Sequence, residues 1–214
     1  FLKISDDLIS KIGSYCNIDT VKTISRSTLL SKAAIETMVQ KGFIINMESI
    51  KQEDIENFTK LLFQTRNTRA LKIKGLKWDI LKVSLERQPN LKFDKLEKID
   101  ISDSNITNEN LEQINDILFS RTTVLTSINL SNNNIGDAGV IAIIANIINL
   151  TNLNLHNNQI EDAGARAIAR SKHMKTLNSL YLYKNQLGAT IKEYLRTKLP
   201  SCNINLTSTE GSSF

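Results

Sequence analysis

Two histidines, two cysteines and a Gly-Asp-Ala-Gly turn are the groups in this sequence that invite a chemical reading. His156 and His173 have no cysteine or further histidine beside them at the spacing a zinc site needs. Cys202 has no nearby histidine in sequence, and no serine sits in the Gly-x-Ser-x-Gly bend that exposes a hydrolase nucleophile. The turn Gly136-Asp137-Ala138-Gly139 precedes a helical pattern, where backbone N–H groups can cradle an anion. It lacks both the Gly-x-Gly-x-x-Gly spacing and the lysine of a phosphate loop, and it recurs as Glu161-Asp162-Ala163-Gly164. A phosphate site should occur once, so a recurring turn is scaffold. The chain is therefore expected to be no enzyme, with no catalytic residue, no metal and no cofactor.

The composition is ordinary. Hydrophobic residues make up 41% and charged residues 23%, values of a soluble globular protein. No stretch reaches the roughly 18 to 20 apolar residues of a membrane span, and Gly139 to Leu150, broken by Asn146, reads as a buried helix. Cys16 and Cys202 sit among apolar neighbours at opposite ends and are expected to be free, buried thiols in a reducing compartment. The chain opens on Phe1 rather than methionine and is read as a trimmed piece, so a missing leader carries no weight. The net charge is +5, with ten basic and four acidic residues between Arg66 and Lys98. That cluster is read as a solvated face, because no nucleic-acid motif accompanies it and only Trp78 could stack nearby. Neither nucleic acid nor a membrane is expected as partner.

What must position any site is a repeat. Leu125, Ile128, Leu130, Asn133 and Ile135 obey L-x-x-L-x-L-x-x-N-x-L, and the pattern returns at Leu150–Ile160 and Leu177–Leu187. A copy beginning at Leu96 carries Ser104 in place of the asparagine; weaker copies run back through Leu71/Ile73 and Phe43/Ile45, and Ile204/Leu206 is expected to add a last strand. Of 23 asparagines, 18 lie between Asn105 and Asn205, so the repeat uses them structurally. The alternation L-x-L predicts a strand with its apolar side chains on one face. Val140, Ile143, Ile144 and Ile147 follow at helical spacing behind Asp137, which is read as a helix N-cap or a first-turn acid. One such unit cannot bury its own apolar faces, so neighbours must stack. Asn133, Asn158 and Asn185 fall just past each strand, where a side-chain amide can satisfy backbone groups left over by the turn.

These motifs resemble the leucine-rich repeat family, and the Gly-Asp-Ala-Gly and Glu-Asp-Ala-Gly helices resemble its ribonuclease-inhibitor-like class. The resemblance implies an α/β fold: a right-handed leucine-rich-repeat solenoid, or horseshoe, with parallel strands on the concave face and helices outside. It implies a protein partner on that face; actin, a GTPase and a ribonuclease are the kinds the class suggests. The candidate surface is Lys72, Asp100, Asn129, Asn154 and Tyr181 at mid-strand, then Lys74, His156 and Tyr183, then Asp103, Asn132 and Lys184. Tyr181 and Tyr183 lead it, since exposed aromatics with a polar tip are enriched at binding hot spots.

Residues 1–40 do not repeat and are expected to form an α-helical cap over the first coil. The order acidic start, Leu8-Ile9, Lys11-Ile12, Ser14-Tyr15, Val21 and Ile24 also resembles an F-box, with Ser5 where that family has proline. That resemblance implies contacts through Leu8, Ile9 and Ile12 to the Skp adaptor of a cullin ubiquitin ligase, making the chain a substrate receptor. Residues 41–207 are assigned to the repeats and 208–214 to a disordered tail. The leading expectation is a monomeric, cytoplasmic, non-catalytic protein-interaction module. Richness in Ile, Lys and Asn adds the expectation of a bacterial effector acting in a host cytosol. A GTPase regulator of the Ran-activator kind is a further alternative, for which no matching polar residues are found.

Overall fold

In the computed structural model, residues 43–46, 69–74, 78–87, 89–90 and 92–207 are described. The expected cap, the F-box-like contacts Leu8, Ile9 and Ile12, Cys16 and the tail at 208–214 lie outside them. The elements are β1 (Phe43–Asn46) and then, with strand and helix alternating from β2 on, β2 (Ala70–Lys74), α1 (Trp78–Glu86), β3 (Lys98–Asp100), α2 (Asn108–Ile117), β4 (Ser127–Asn129), α3 (Asp137–Asn146), β5 (Asn152–Asn154), α4 (Asp162–Arg170), β6 (Ser179–Tyr181), α5 (Ala189–Lys198) and β7 (Asn203–Asn205). Short 3-10 turns follow α2 and α4, at Phe119–Arg121 and Lys172–Thr176.

The seven strands form one open parallel sheet in chain order. The register follows the repeat, with Ile99, Ile128, Leu153, Leu180 and Ile204 as successive partners. The weak upstream copies fall into line as well, Phe43 opposite Leu71 and Ile45 opposite Ile73. The expected last strand is present as β7.

Each strand is short because its work is done by two apolar residues. Ile99 and Ile101, Ile128 and Leu130, Leu153 and Leu155, and Leu180 and Leu182 are all buried against the helices. From behind, Leu111 and Ile114 of α2, Val140 and Ile143 of α3, Ala165 and Ile168 of α4, and Ile191 and Leu195 of α5 meet them in one continuous core. Each fully buried Leu or Ile is worth about 1.5–3 kcal/mol, and none could be buried by one coil alone.

Three polar ladders then lock coil to coil. In the first, Asn133 Oδ1 accepts from the N–H groups of Ser104 and Ile106 at 3.1 and 2.9 Å, while its Nδ2 donates to the carbonyls of Ile101, Leu130 and Ser131. Asn158 does the same for Ile135 N–H and the Leu130, Leu155 and His156 carbonyls, and Asn185 for Ile160 N–H and the Leu155 and Leu182 carbonyls. The asparagines past each strand are structural, as their position in the repeat implies. In the leading copy Ser104, standing where the asparagine would be, donates from Oγ to the Ser102 carbonyl at 2.9 Å.

The second ladder explains Gly-Asp-Ala-Gly. Asn108, at the start of α2, accepts from the N–H groups of Gly136 and Gly139 in the next coil at 2.8 and 3.0 Å. Asp137 likewise accepts from Glu161 N–H, and Asp162 from Gly188 N–H, at 2.9 and 2.8 Å. The first residues of α2, α3 and α4 thus supply the acceptor for the next helix's amino end, where the first N–H groups have no partner within their own helix. Helix α2 is also closed at its own start by a reciprocal pair between Thr107 and Asn110. The third ladder runs through Thr126, Thr151 and Thr176, whose hydroxyls donate to the carbonyls of Glu97, Thr126 and Leu150.

Candidate functional site: the open face of the sheet

On the side of the sheet away from the helices, the strand register aligns Lys72, Asp100, Asn129, Asn154, Tyr181 and Asn205 in one column. The members of this column are not equally available. Asn129 and Asn154 are sunk to 8% and 1% exposure, against the expectation that both stand free in solvent. Their carbonyl oxygens are spent on the chain itself. Asp100, Asn129, Asn154 and Asn205 each accept from the N–H two residues on, at Ser102, Ser131, His156 and Thr207. This Asx bond closes the strand, and it accounts for Asn and Asp in the column independently of any partner. The serines of the next column, Ser102 and Ser131, are buried too.

The third column has a backbone reason of its own. Asp103, Asn132, Asn157 and Lys184 share left-handed backbone, with φ of 54°, 56°, 54° and 55°. Asn and Asp tolerate that region better than other side chains with a Cβ, which places them there on conformational grounds. Asn157 Nδ2 donates to Asn132 Oδ1 at 2.8 Å, so two of these amides hold each other. Lys184 occupies the same left-handed position without a short amide side chain, and it is exposed.

At the C-terminal end the face changes character. His156 and Tyr183 stack flat, ring centroids 4.4 Å apart and planes 8° from parallel, and Tyr181 stands two residues before Tyr183. His156 Nδ1 lies 2.8 Å from Asn154 Oδ1, an oxygen that can only accept, so the neutral ring carries its proton on Nδ1 and presents Nε2 as an acceptor. Burial, and after it the Lys184 ammonium, hold the imidazole below its ordinary pKa of 6.5, with the Asp103 carboxylate opposing. The buried Asn154 is thus a positioning group for the ring and not a surface contact. The sequence lists His156 and Tyr183 in one column but gives no sign of the stack. Its signal is the 27-residue offset that makes them neighbours in register.

A pH dependence follows. His156 binds its proton less readily when folded than when unfolded, so its contribution to stability is complete above about pH 6.5 and is lost as pH falls from there toward the folded value. Thermal melts at stepped pH should show the melting temperature falling as the pH drops below about 6.5. A His156→Gln variant should flatten that part of the curve; parallel curves would refute the assignment.

Other candidates fall away. Trp78, the expected stacking residue near the basic cluster, is 4% exposed and donates from Nε1 to Gln113 Oε1 at 2.8 Å, so it belongs to the core. Cys202 is a free thiol that burial pushes up to about 11, and a thiol protonated at neutral pH is a poor nucleophile. His173 lies in the turn after α4, its N–H held by Ser171 Oγ, away from the open face. Among the described residues no cluster of three or more His, Cys, Asp or Glu could hold a metal ion, and no helix is long and apolar enough to cross a membrane. For Lys72 and Lys74 the backbone alone is described, and it places both in β2.

With the geometry in place, comparison with known proteins is informative. The Leucine Rich repeat family model matches residues 123–143 and 146–169. No curated protein matches the chain. Similar solved structures include the actin-binding site 2 of leiomodin-1, at 14% identity over 70% of this chain and 86% of that one, with a TM-score of 0.43. Another is a protein from Bacteroides fragilis, at 17% identity over 69% of this chain, with a TM-score of 0.48. This chain spans 43% of the Bacteroides fragilis chain. The two matched segments hold β4 with α3 and β5 with α4, and the same strand, turn and helix are laid down on either side of them. Two coils of this chain match the leucine-rich repeat family.

Proposed function

We propose that the chain is a non-catalytic module that binds a protein through the open, concave face of its repeats. The observation that carries this reading is the His156–Tyr183 stack, with Tyr181 in the neighbouring column. Flat rings held by neighbours offer large contact area at little entropic cost. The polar columns alone would not support it, because their oxygens are used within the fold. The contact is centred on Tyr181, His156, Tyr183 and Lys184, with Asp100 and Asp103 toward its edge. Such a surface suits a polypeptide with an apolar anchor and a donor aimed at His156 Nε2. In this reading the module acts in a reducing cytoplasm, including that of a host cell, where the Cys202 thiol stays free.

The test is affinity capture from cell lysate, wild type against Tyr181→Ala/Tyr183→Ala, with thermal melts to show that both are folded. At least one protein retained by wild type should be lost from the variant, at a cost of about 2 kcal/mol or more in a direct titration. Identical retention by two equally stable proteins would refute the open-face assignment.

A further inference from the structure

The helical face carries a second surface that the open-face reading does not use. Because Asn108, Asp137 and Asp162 are equivalent first residues of α2, α3 and α4, residues at equal distance from them align across the coils. Four positions on stand Glu112, Ile141 and Arg166; eight positions on stand Asp116, Ala145 and Arg170. Each row therefore runs acidic, apolar, basic. The wider sequence shows the same gradient. Glu97 to Glu161 holds eight acidic and two basic residues, and Asp162 to Lys198 eight basic and two acidic.

The middle of this gradient is bare hydrocarbon. Within α3, Ile141 is 54% exposed with exposed Ala138 and Ala145 on the same side, and just past the helix end Ile148 is 55% exposed. An isolated exposed isoleucine needs no explanation, but a stripe of apolar residues along one helix does. The Arg69–Glu97 ion pair involves neither row. The two arginines are propped by Tyr194 of α5. Arg170 Nε donates to its hydroxyl at 3.3 Å, and Arg166 Cζ lies 5.3 Å from the ring centroid.

We infer that the helical face is a self-association surface, on which a second copy of this chain packs about a two-fold axis along α3. A two-fold contact is isologous, so each patch meets its complement on the same surface of the other copy. With the axis along α3, rotation keeps the helix direction, sets Ile141 against Ile141, and brings α2 of each copy opposite α4 of the other. Glu112 then meets Arg166, and Asp116 meets Arg170, each pair at matching height. An axis across the helices would set acid on acid and base on base, so the charges select the first geometry. The dimer departs from the monomer expected from sequence.

Sedimentation velocity on the full chain tests this, from about 1 to about 100 µM. Wild type should show concentration-dependent dimerisation that weakens with salt. Ile141→Asp, a change at an exposed position, should raise the dissociation constant at least about tenfold. One charge-reversed chain carries Glu112→Arg/Asp116→Arg and the other Arg166→Glu/Arg170→Glu. Each should be monomeric alone, and an equal mixture should dimerise. A wild type that stays monomeric throughout, an Ile141→Asp variant that sediments like wild type, or a mixture that stays monomeric would overturn the proposal.

Discussion

Replacing Asn133 by alanine should lower the melting temperature by about 10 °C, while Asn134→Ala should leave it nearly unchanged. The two residues are adjacent in sequence and differ entirely in what they hold. Asn133 is buried and makes five hydrogen bonds to backbone groups of two coils. Its loss strands the N–H groups of Ser104 and Ile106, at about 1–3 kcal/mol each, and removes a donor from three carbonyls. Summed, that is about 3 kcal/mol or more, and a kilocalorie shifts a domain of this size by about 2–4 °C. Asn134 is exposed and bonds to the exposed Asn105 side chain, an interaction water replaces at little cost. Asn133→Asp should not rescue: it keeps the acceptor but turns the donor end into an oxygen facing three carbonyls. Thermal and urea melts of the three variants decide the matter, and an Asn133→Ala protein within about 2 °C of wild type would show the ladder to be idle.

Gly164→Ala should destabilise, although glycine to alanine inside a helix ordinarily stabilises by about 0.5–1 kcal/mol. Gly164 is the third residue of α4, and its helical backbone would suit alanine. What forbids the change is the preceding coil. An added Cβ would overlap Asp137 Oδ1 and stand 3.1 Å from the Asp137 Cα. Asp137 cannot swing aside without giving up Glu161 N–H. Forcing a methyl group into such a contact costs about 1–3 kcal/mol, which outweighs the helix gain. Gly139 is in the same position, its Cβ meeting Asn108 Oδ1 at 2.7 Å and Ile135 Cγ2 at 2.8 Å. Gly136 is not: the nearest atom is Asn108 Nδ2 at 3.3 Å, and the equivalent residue in the next coil is Glu161. Chemical denaturation should therefore order the variants as Gly136→Ala above Gly164→Ala. Adding Asp137→Ala to Gly164→Ala should recover only part of the loss, since the backbone contact remains. A Gly164→Ala protein more stable than wild type would remove this explanation of the motif.

Both predictions rest on the same division. Within the described coils, the strand positions, the helices behind them and the inward asparagines were legible in the sequence. They obey one-dimensional rules: alternation for a strand, a 3.6-residue period for a helix, and a repeat of 25 to 29 residues for the stack. Asn133, Asn158 and Asn185 could be assigned because a turn that recurs leaves the same backbone groups over each time. Which polar side chains remain available to a partner was not legible. Asn129, Asn154 and Tyr181 share one column, yet the oxygens of the two asparagines are bound to the following turn and Tyr181 remains half-exposed. The stack of His156 on Tyr183 joins residues 27 positions apart, and the acid-to-base rows of the helical face join residues of three coils. Sequence determines what each coil contains, because propensity and burial act along the chain. Only the stacking of coils decides which side chains stand side by side, because that adjacency depends on register between coils, and it is where both the aromatic platform and the charge gradient arise.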